Sequence, residues 1–524
     1  MEKSKTKVKS VAKKKESLKQ KKSVSSIAQG SAMQKIKLII NTGSSSLKVN
    51  VYSEKNEELF AFNYQKIGTE NAVRHLRIRG EKIEDKKRKD EFMNHYQTLS
   101  DAIAKIGKVY KNFQIDYVAH RLVHGGEEIV KPALITVKTL DQIYELIPAA
   151  PLHNPANLIG ILAIYKIFYE QQGIDGFPEI TPDLENFKEI YAFIWNNETN
   201  VKIPPMSVIP DTAPHVHDME QKNYTYAIGP EARKLLKEVV GSDINIRRFG
   251  FHGSSYEYIR KTYKVSNGVI MHLGNGSSAA VIVDGKIKTT SMGFTPLEGL
   301  IMGTRAGDID PAIAIMLVNA LIKQSLPTMV GTAIVDGLIQ AKNEHDSEIR
   351  QKLIEAAELN AEAMLGKLQK IESAPHDADN LLNKKSGLLG MTGTNAMDKI
   401  LAEIKAGNDT DGRYQLAIDI WKESIKKYLN SYIGHLPSNP SGENKIIFTG
   451  GIGENADTLI VDTLKEMSFF NFKILNYNKN DLEKKGYCKI AVGINKLNVY
   501  MARTNEELHM LRATEELLEE LKNA

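Results

Sequence analysis

Residues 38–52 read LIINTGSSSLKVNVY, with a β-rich run, a small polar turn and a second, alternating run. Such runs on either side of a short turn predict a β-hairpin. A similar phrase, VIMHLGNGSSAAVIVDGK, recurs at residues 269–286, and the recurrence indicates an internally duplicated fold. Each tip alone is compatible with an ordinary turn, because glycine and serine are common turn residues. Two facing tips could instead hold a polyphosphate, since small residues let backbone N–H groups approach an anion.

A third glycine-rich phrase, KIIFTGGIGENA, occupies residues 445–456 and is followed by apolar residues at positions 459, 461 and 464. The pattern predicts a strand, a loop and a helix, and a helix N-terminus at such a loop favours anions. The sequence contains no G-x-x-x-x-G-K-S/T phrase, and HRL at residues 120–122 is not the H-R-D of protein kinases. Two widespread phosphoryl-transfer scaffolds are therefore disfavoured.

The composition is that of a globular protein of several domains, with 524 residues, 42% hydrophobic and 25% charged. A single cysteine, Cys488, excludes an intramolecular disulfide and multi-cysteine metal sites. It also indicates a reducing compartment, so we expect a cytoplasmic protein. The longest apolar-rich run, residues 311–322, falls well short of the roughly 20 residues that cross a bilayer, and no membrane partner is expected.

The net charge of +5 is dominated by the start of the chain, because residues 1–25 hold ten Lys and two Glu. The remainder is therefore slightly acidic, which argues against nucleic acid as a partner. Residues 1–33 are too polar to bury much surface, and we expect a disordered basic tail. Met33 stands directly before the first strand-like run, so translation from Met33 would give a tailless but otherwise complete protein.

Read in order, the longer phrases resemble those of the acetate and propionate kinase family, the acetokinase type of acyl-phosphate-forming kinase within the actin-like ATPase superfamily. The resemblance covers about residues 35–515. The phrases that carry it are NTGSSSLK (41–48), HRLVHGGE (120–127), PLHNP (151–155), RRFGFHGSS (247–255), HLGNG (272–276), SMGFTPLEGL (291–300), MGTR (302–305), GGIGEN (450–455) and TNEE (504–507).

The resemblance implies an α/β fold with two actin-like (ribonuclease H-like) domains, a duplicated core and an interdomain cleft. The N-terminal domain would comprise residues 34–212 and, through a returning C-terminal helix, about 506–524. Residues 213–505 would form the C-terminal domain, which carries the nucleotide-binding loops. A homodimer is also implied.

The implied activity is that of an acetate kinase, the reversible, Mg²⁺-dependent transfer of a phosphoryl group from ATP to acetate, giving acetyl phosphate and ADP. Mn²⁺ could replace Mg²⁺, and phosphate acetyltransferase would be the metabolic neighbour. One alternative is the same chemistry on propionate or butyrate, with Val123 and Leu152 lining the acyl pocket, because a methylene changes specificity by about 1–3 kcal/mol. The others are an actin-like nucleotide-binding protein without transfer activity and a decayed scaffold.

Transfer of a γ-phosphoryl group to a carboxylate joins two anions, so the site must supply cations and hydrogen-bond donors. The resemblance assigns Arg121 and Arg305 to catalysis, with Arg121 also binding the substrate carboxylate. It places His252, and with it His153, beside the transferred group as hydrogen-bond donors. The acceptor is already ionised and needs no base, so Asp211 would orient the metal or its His and Arg partners, or else serve as a turn or helix cap.

The resemblance also implies a nucleotide site and a metal site. Asn41 and Glu506 would lie near the metal ion, although Glu506 is equally suited to the first turn of a helix after Thr504 and Asn505. The predicted nucleotide-binding residues are Lys48, His272, Leu273, Gly274, Asn275, Gly276, Gly450, Gly451, Ile452, Gly453, Glu454 and Asn455. His215 and His217 form an H-x-H phrase that we do not assign to a metal.

The chain departs from the family pattern at several positions. Met397 stands where an arginine is usual, so an apolar pocket would have to accept the base. Pro210 and Pro214 replace aromatic residues, and Tyr256 stands where a histidine is common. Around residues 167–201 the chain is longer than usual, and we expect a tolerated surface insertion, with a helical flap as the alternative. A second, charged insertion around residues 77–91 is expected to be a solvated excursion.

Overall fold

The computed structural model describes residues 33–87, 92–241, 244–325, 338–344 and 346–524. Within these ranges the strands form two sheets. The first sheet contains β1 (Gln34–Gly43), β2 (Ser46–Ser53), β3 (Glu58–Gln65), β4 (Val73–Ile78), β5 (Glu81–Lys87), β6 (Phe113–Leu122), β7 (Ala133–Leu134) and β8 (Met206–Pro210). The second contains β9 (Gly268–Leu273), β10 (Ser277–Val283), β11 (Lys286–Thr290), β12 (Asn444–Thr449), β13 (Lys473–Ile474), β14 (Tyr487–Val492) and β15 (Leu497–Ala502).

Each of the two sheets contains the same arrangement of five strands. In the first, the strand order is β3-β2-β1-β6-β8, and in the second it is β11-β10-β9-β12-β15. In both, the first three strands are an antiparallel meander and the last two run parallel to the first. The predicted hairpins are therefore confirmed, as is the duplicated α/β core of actin-like, ribonuclease H-like domains.

The helices pack on the faces of the sheets and between them. Those of the first half are α1 (His95–Val109), α2 (Val137–Glu145), α3 (Asn154–Gln171), α4 (Phe187–Asn197), α5 (Ala213–Asp218), α6 (Gln221–Tyr224), α7 (Pro230–Val240) and α8 (Gly253–Thr262). Those of the second half are α9 (Pro311–Ser325), α10 (Ser347–Lys384), α11 (Gly387–Thr392), α12 (Met397–Lys405), α13 (Arg413–Ile433), α14 (Gly450–Asn455), α15 (Asp457–Glu466), α16 (Asn480–Lys485) and α17 (Glu506–Asn523).

The last helix, α17, returns to the first sheet. Its Met510 and Leu511 are fully buried in a cluster with Ile39 of β1 and Ala119 of β6. Polar contacts reinforce this packing, since Thr514 Oγ1 lies 2.8 Å from Ser207 Oγ. The last helix therefore packs against the first sheet, while the division of the chain into two domains stays a prediction.

The stretch around residues 167–201 belongs to the core of the first half. It contains the end of α3 and all of α4, whose Phe187, Ile190 and Ile194 are at most 1% exposed. Phe187 also stacks on Tyr144, with ring centroids 4.2 Å apart. This corrects the expectation of a surface insertion, because the aromatic and aliphatic side chains are spaced to bury one helical face.

The charged stretch around residues 77–91 also differs from expectation. Its residues up to position 87 complete β4 and form β5, which extends the first sheet by an antiparallel hairpin rather than leaving it as a solvated excursion. Residues 88–91 and residues 1–32 of the predicted tail lie outside the described residues. None of the described helices is both long and apolar enough to cross a membrane.

Candidate active site

The first half contributes three polar residues at the carboxyl ends of neighbouring parallel strands. Asn41 is on β1, Arg121 is on β6, and Asp211 follows β8 directly. Crevices outside the carboxyl ends of parallel strands are the usual ligand sites of α/β folds. Arg121 donates to Asp211 Oδ2 from Nε at 3.0 Å and from Nη2 at 2.5 Å, and its Nη1 lies 3.4 Å from Asn41 Oδ1. The structure therefore brings these predicted site residues together.

Asp211 links this group to the start of α8. Its Oδ1 accepts a hydrogen bond of 2.8 Å from the Ser254 hydroxyl, and its carbonyl accepts one of 3.1 Å from the Gly253 N–H. A β-carbon on Gly253 would lie 2.1 Å from that carbonyl oxygen, so only glycine permits the approach. Asp211 is 1% exposed and acts at once as a partner of Arg121 and as a cap for the start of α8.

His252 precedes α8 with a left-handed backbone, φ +60°. Its Nδ1 lies 2.7 Å from Ser278 Oγ, and its ring stacks on that of His272 with centroids 4.3 Å apart. His272 Nδ1 in turn lies 2.9 Å from Ser255 Oγ. Burial lowers the pKa of His272 to about 4. Burial, His272 and nearby arginines lower the pKa of His252 well below its ordinary value, so both rings are neutral at neutral pH.

Arg305 lies in the loop between β11 and α9. Its Nη1 contacts Pro296 O at 3.2 Å and Met302 Sδ at 3.5 Å. None of the carboxylates in the described ranges forms an ion pair with it. Burial and the charge of Arg121 lower the pKa of Arg305 to about 10. A guanidinium in this position favours an anionic ligand, because desolvated charge is stabilised only by a partner.

His153 directly precedes α3 and lies near enough to Arg305, Arg121 and Asp211 for their charges to act on it. Burial lowers the pKa of His153 to about 3, with further contributions from Arg305 and Arg121. The predicted donors His252 and His153 are therefore both neutral imidazoles beside arginines. Each can donate one N–H without adding charge to the site.

The two glycine clusters of the second half adjoin each other. A β-carbon on Gly450, which has φ +78°, would lie 2.7 Å from the Leu273 carbonyl oxygen. A β-carbon on Gly274 would lie 3.8 Å from the Gly451 nitrogen. The segment Gly450–Asn455, predicted as a loop, is instead the short helix α14, which begins as soon as β12 ends.

Glu454 and Asn455 direct their side chains to the protein backbone. Glu454 Oε1 accepts from the N–H groups of Gly450 at 3.2 Å and Thr504 at 3.1 Å, and burial raises its pKa. The Asn455 side chain donates to Gly451 O at 2.8 Å. These bonds explain why a glycine-rich stretch is helical here, while its contact with a nucleotide stays a prediction.

Lys48 and the start of α17 lie at the mouth of the site. Lys48 is half exposed, with Nζ 3.5 Å from Glu507 Oε1. Both residues line a cavity of 790 Å³ together with Glu454, Asn455 and Thr504. The cavity thus touches the first hairpin, the glycine cluster after β12 and the beginning of α17.

Asn41 and Glu506, the predicted metal ligands, lie around one nitrogen of Arg121. Nη1 is 3.4 Å from Asn41 Oδ1 and 3.8 Å from Glu506 Oε2. Burial raises the pKa of Glu506, so a nearby cation would favour its charged form. The described residues hold no cluster of three or more metal-ligating side chains. The Asn41 amide oxygen and the Glu506 carboxylate are oxygen donors, the kind of ligand that Mg²⁺ accepts, and their contact with a metal ion stays a prediction.

The departures from the family pattern have structural explanations. Met397 is 5% exposed and packs in the apolar core of the second half. Asn395 donates to Asn275 Oδ1 at 3.0 Å, which ties the neighbouring stretch to the second hairpin tip. Pro210 is buried against Gly125. His217 is exposed and pairs with Asp218.

Sequence reasoning missed three serines that position the site: Ser254, Ser255 and Ser278. The first two belong to the phrase at residues 247–255 and follow His252 and Gly253, so their place in a quoted motif was a usable signal. Ser278 lies on β10, where alternation alone does not tell which hydroxyl meets an imidazole.

Comparison with known proteins identifies the family. The model of the Acetokinase family matches residues 36–180, 171–363 and 355–512. The acetate kinase of Acetivibrio thermocellus is 31% identical over 499 residues, covering 92% of this chain and 99% of that protein. That of Finegoldia magna is 32% identical over 492 residues, with coverage of 92% and 99%.

Solved structures give the same result. The acetate kinase of Porphyromonas gingivalis is 26% identical, with a TM-score of 0.63 and coverage of 93% of this chain and 100% of that one. A propionate kinase from Francisella tularensis subsp. tularensis is 26% identical, with a TM-score of 0.61 and coverage of 92% and 99%. The family model matches residues 36–512, and the two relatives are more than 30% identical over about nine-tenths of the sequence. The chain therefore belongs to the Acetokinase family.

Proposed function

We propose that the chain is an acetate kinase, which transfers the γ-phosphoryl group of ATP reversibly to acetate and forms acetyl phosphate and ADP. The observation that carries the proposal is the guanidinium of Arg305, which is partly buried without a carboxylate partner among the described residues and feels the charge of Arg121. A site that holds two arginines and neutral imidazoles is suited to an anion of high charge.

In the forward reaction an acetate oxygen forms a bond to the γ-phosphorus, and the bond from that phosphorus to the bridging oxygen of ADP breaks. No proton has to move, because the acceptor carboxylate is ionised at neutral pH. Negative charge is distributed over the equatorial oxygens, where Arg305, Arg121 and the N–H groups of His252 and His153 would donate. Asp211 holds Arg121 in place and fixes the start of α8, which directly follows His252.

Asn41 and Glu506 would hold a Mg²⁺ ion, with Mn²⁺ as a possible substitute. When bound, the ion neutralises charge on the nucleotide phosphates. Lys48, the segment His272–Gly276 and the α14 segment would contact the nucleotide. The side-chain bonds of Glu454 and Asn455 to backbone leave the glycines of α14 as the parts suited to close approach by phosphate.

The acyl group would lie beside Val123, which packs against Phe251, Met292 and Met302. These side chains favour a small apolar group next to the acceptor carboxylate. Propionate is the alternative acceptor, favoured by the similarity to a propionate kinase structure. The ratio of kcat/KM for acetate, propionate and butyrate distinguishes the two functions, because a methylene is worth about 1–3 kcal/mol.

The proposal includes a homodimer. The apolar helix α9 exposes Ile313, Ile315 and Met316, which are 51%, 63% and 67% accessible. Burial of such a face against a second copy would remove it from water, at roughly 25 cal/mol per Å² of apolar surface. The proposed location is the cytoplasm, supported by the single buried cysteine. Phosphate acetyltransferase would be the enzyme that shares acetyl phosphate.

The test is trapping of acyl phosphate as the hydroxamate, with purified protein, Mg²⁺ and each pairing of ATP or GTP with acetate, propionate or butyrate. We expect the strongest signal with acetate and ATP. Arg305→Gln is the matched negative control. Slow ATP hydrolysis without any acyl phosphate would instead favour a nucleotide-binding protein that carries out no transfer.

A further inference from the structure

Two buried side chains, Tyr256 and Ser278, form a hydrogen-bonded chain that ends at His252 Nδ1. Tyr256 lies one turn after His252 on α8, and Ser278 lies on β10. The Tyr256 hydroxyl is 2.5 Å from Ser278 Oγ, which is 2.7 Å from His252 Nδ1. Tyr256 and Ser278 are both fully buried. Neither residue has a role in the function proposed above.

The direction of these hydrogen bonds follows from counting protons. Within the described part of the chain, Ser278 Oγ is the one recorded partner of the Tyr256 hydroxyl. A buried donor without an acceptor costs about 1–3 kcal/mol, so Tyr256 donates to Ser278. A serine has one hydroxyl proton, and the bond from Tyr256 leaves that proton for His252 Nδ1. The reverse direction would leave the Tyr256 proton without an acceptor.

An imidazole that accepts at Nδ1 and is neutral carries its proton on Nε2. The structure shows where that N–H is directed. A β-carbon placed on Gly276 would lie 3.2 Å from His252 Nε2 and 3.6 Å from Arg305 Nη1. The two donors therefore converge at the tip of the second hairpin, where both approach the position that a β-carbon on residue 276 would take.

We propose that Tyr256 is a positioning residue, which acts through Ser278 to hold His252 as the Nε2–H tautomer, so that the imidazole donates to the transferred phosphoryl group beside Arg305. The proposal rests on the proposed function for the identity of the ligand, but the tautomer is a property of the free protein. Without the tyrosine proton, Ser278 can turn and accept from Nδ1–H, and Nε2 would then present a lone pair to an anion.

The tautomer can be read directly. Full-length protein labelled with ¹⁵N-histidine gives long-range ¹H–¹⁵N spectra in which the two neutral tautomers have different cross-peak patterns, and His252→Asn assigns the ring. We expect one Nε2–H pattern in the unmodified protein and a mixture of tautomers in Tyr256→Phe. The matched control is Tyr258→Phe, which removes a hydroxyl from the same helix and should leave the pattern unchanged.

Kinetics supply the second readout. Tyr256→Phe should lower kcat by about 5- to 20-fold, the effect of one hydrogen bond made in the transition state, with the KM values for ATP and acetate within twofold. Tyr256→His, which again offers an N–H to Ser278, should recover most of the loss. A structural role alone would lower the melting temperature without this split between kcat and KM and without recovery by histidine.

If Tyr256→Phe folds poorly, the double variant Tyr256→Phe/Ser278→Ala removes both hydroxyls and leaves neither unpaired. It should show the same mixture of tautomers and the same loss of kcat. The proposal is overturned if the unmodified protein carries Nδ1–H on His252. It is also overturned if Tyr256→Phe and the double variant show the same spectrum as the unmodified protein. Absence of acyl phosphate formation by the unmodified protein would refute the proposed function, whereas the spectra would still decide the tautomer.

Discussion

Replacement of Arg305 by methionine should abolish catalysis and, at the same time, stabilise the ligand-free protein. Burial, together with Arg121, lowers the pKa of Arg305 from 12.5 to about 10. At about 1.4 kcal/mol per tenfold change, this corresponds to about 3 kcal/mol against the charged guanidinium in the folded state. Because the pKa is lowered on folding, the cost is present at every pH below about 10, and a neutral side chain removes it.

The expected gain in stability is smaller than that full cost. Solvent reaches part of the site, and methionine loses the contact of Arg305 with Pro296 O. We expect a gain of about 1–2 kcal/mol in the free energy of unfolding, or a rise of about 2–8 °C in melting temperature for domains of this size. The loss of activity should be large, since arginines that stabilise the transition state of phosphoryl transfer contribute about 10³–10⁵ in kcat.

Two measurements decide the matter: hydroxamate kinetics at saturating ATP and acetate, and calorimetric unfolding with and without nucleotide. Arg248→Met is the matched control, because Arg248 forms an ion pair with Glu298 and that pairing raises its pKa against the effect of burial. It should destabilise the protein. The reasoning would be refuted by an Arg305→Met protein that turns over at near the unmodified rate, or by one that is less stable by as much as the control.

Four further predictions follow from single sites. Asp211→Asn should lower kcat by about 10²-fold, because Arg121 is no longer held in its position. It should also lower the free energy of unfolding in urea by about 3–5 kcal/mol, because a buried ion pair is broken. Val123→Ala should raise the ratio of kcat/KM for propionate to that for acetate about tenfold in a chain-length series. An unchanged ratio would show that Val123 does not line the acyl pocket. Gly450→Ala should destabilise the protein by more than about 1 kcal/mol, because residue 450 has φ +78° and its new β-carbon would meet a carbonyl oxygen. Gly451→Ala places its β-carbon in open space and should not destabilise the protein, and thermal unfolding of both variants tests the difference. Burial lowers the pKa of His120 to about 3, so its contribution to stability is present above pH 6.5 and is lost as the pH falls from there. Between pH 7 and pH 5, the free energy of unfolding should therefore fall by about 2 kcal/mol less in His120→Leu than in the unmodified protein, as measured by denaturant titration.

The parts of the fold that follow local rules could be predicted from the sequence. The alternating runs around Gly43 and Gly274 form hairpins as expected, because β-branched residues on both sides of a short turn leave few other choices. The glycine-rich stretch after β12 misled the prediction, since glycine lowers helix propensity by about 1 kcal/mol per residue. Its helix depends on Glu454, whose carboxylate accepts from Gly450 N and Thr504 N, and the second of these partners is remote in sequence.

The expectation for residues 167–201 failed for a different reason. Loop-closure entropy shows that a long insertion is tolerated, but it does not show whether the inserted residues stay in solvent. Phe187, Ile190, Tyr191 and Ile194 recur at helical spacing, and that pattern was present in the sequence. Periodicity was therefore the better guide to this segment than length.

Site residues came from the resemblance, and the structure adds how they depend on one another. Arg121 and Arg305 each carry a positive charge into the same site, and Arg121 lowers the pKa of Arg305. Asp211 and Glu506 both pair with Arg121, whereas Arg305 has no carboxylate partner among the described residues. A fold selected for stability alone would neutralise both arginines, because unpaired buried charge is costly. The asymmetry is explained if the missing negative charge belongs to the substrate, which binds where the protein has left one guanidinium unpaired and the surrounding imidazoles neutral.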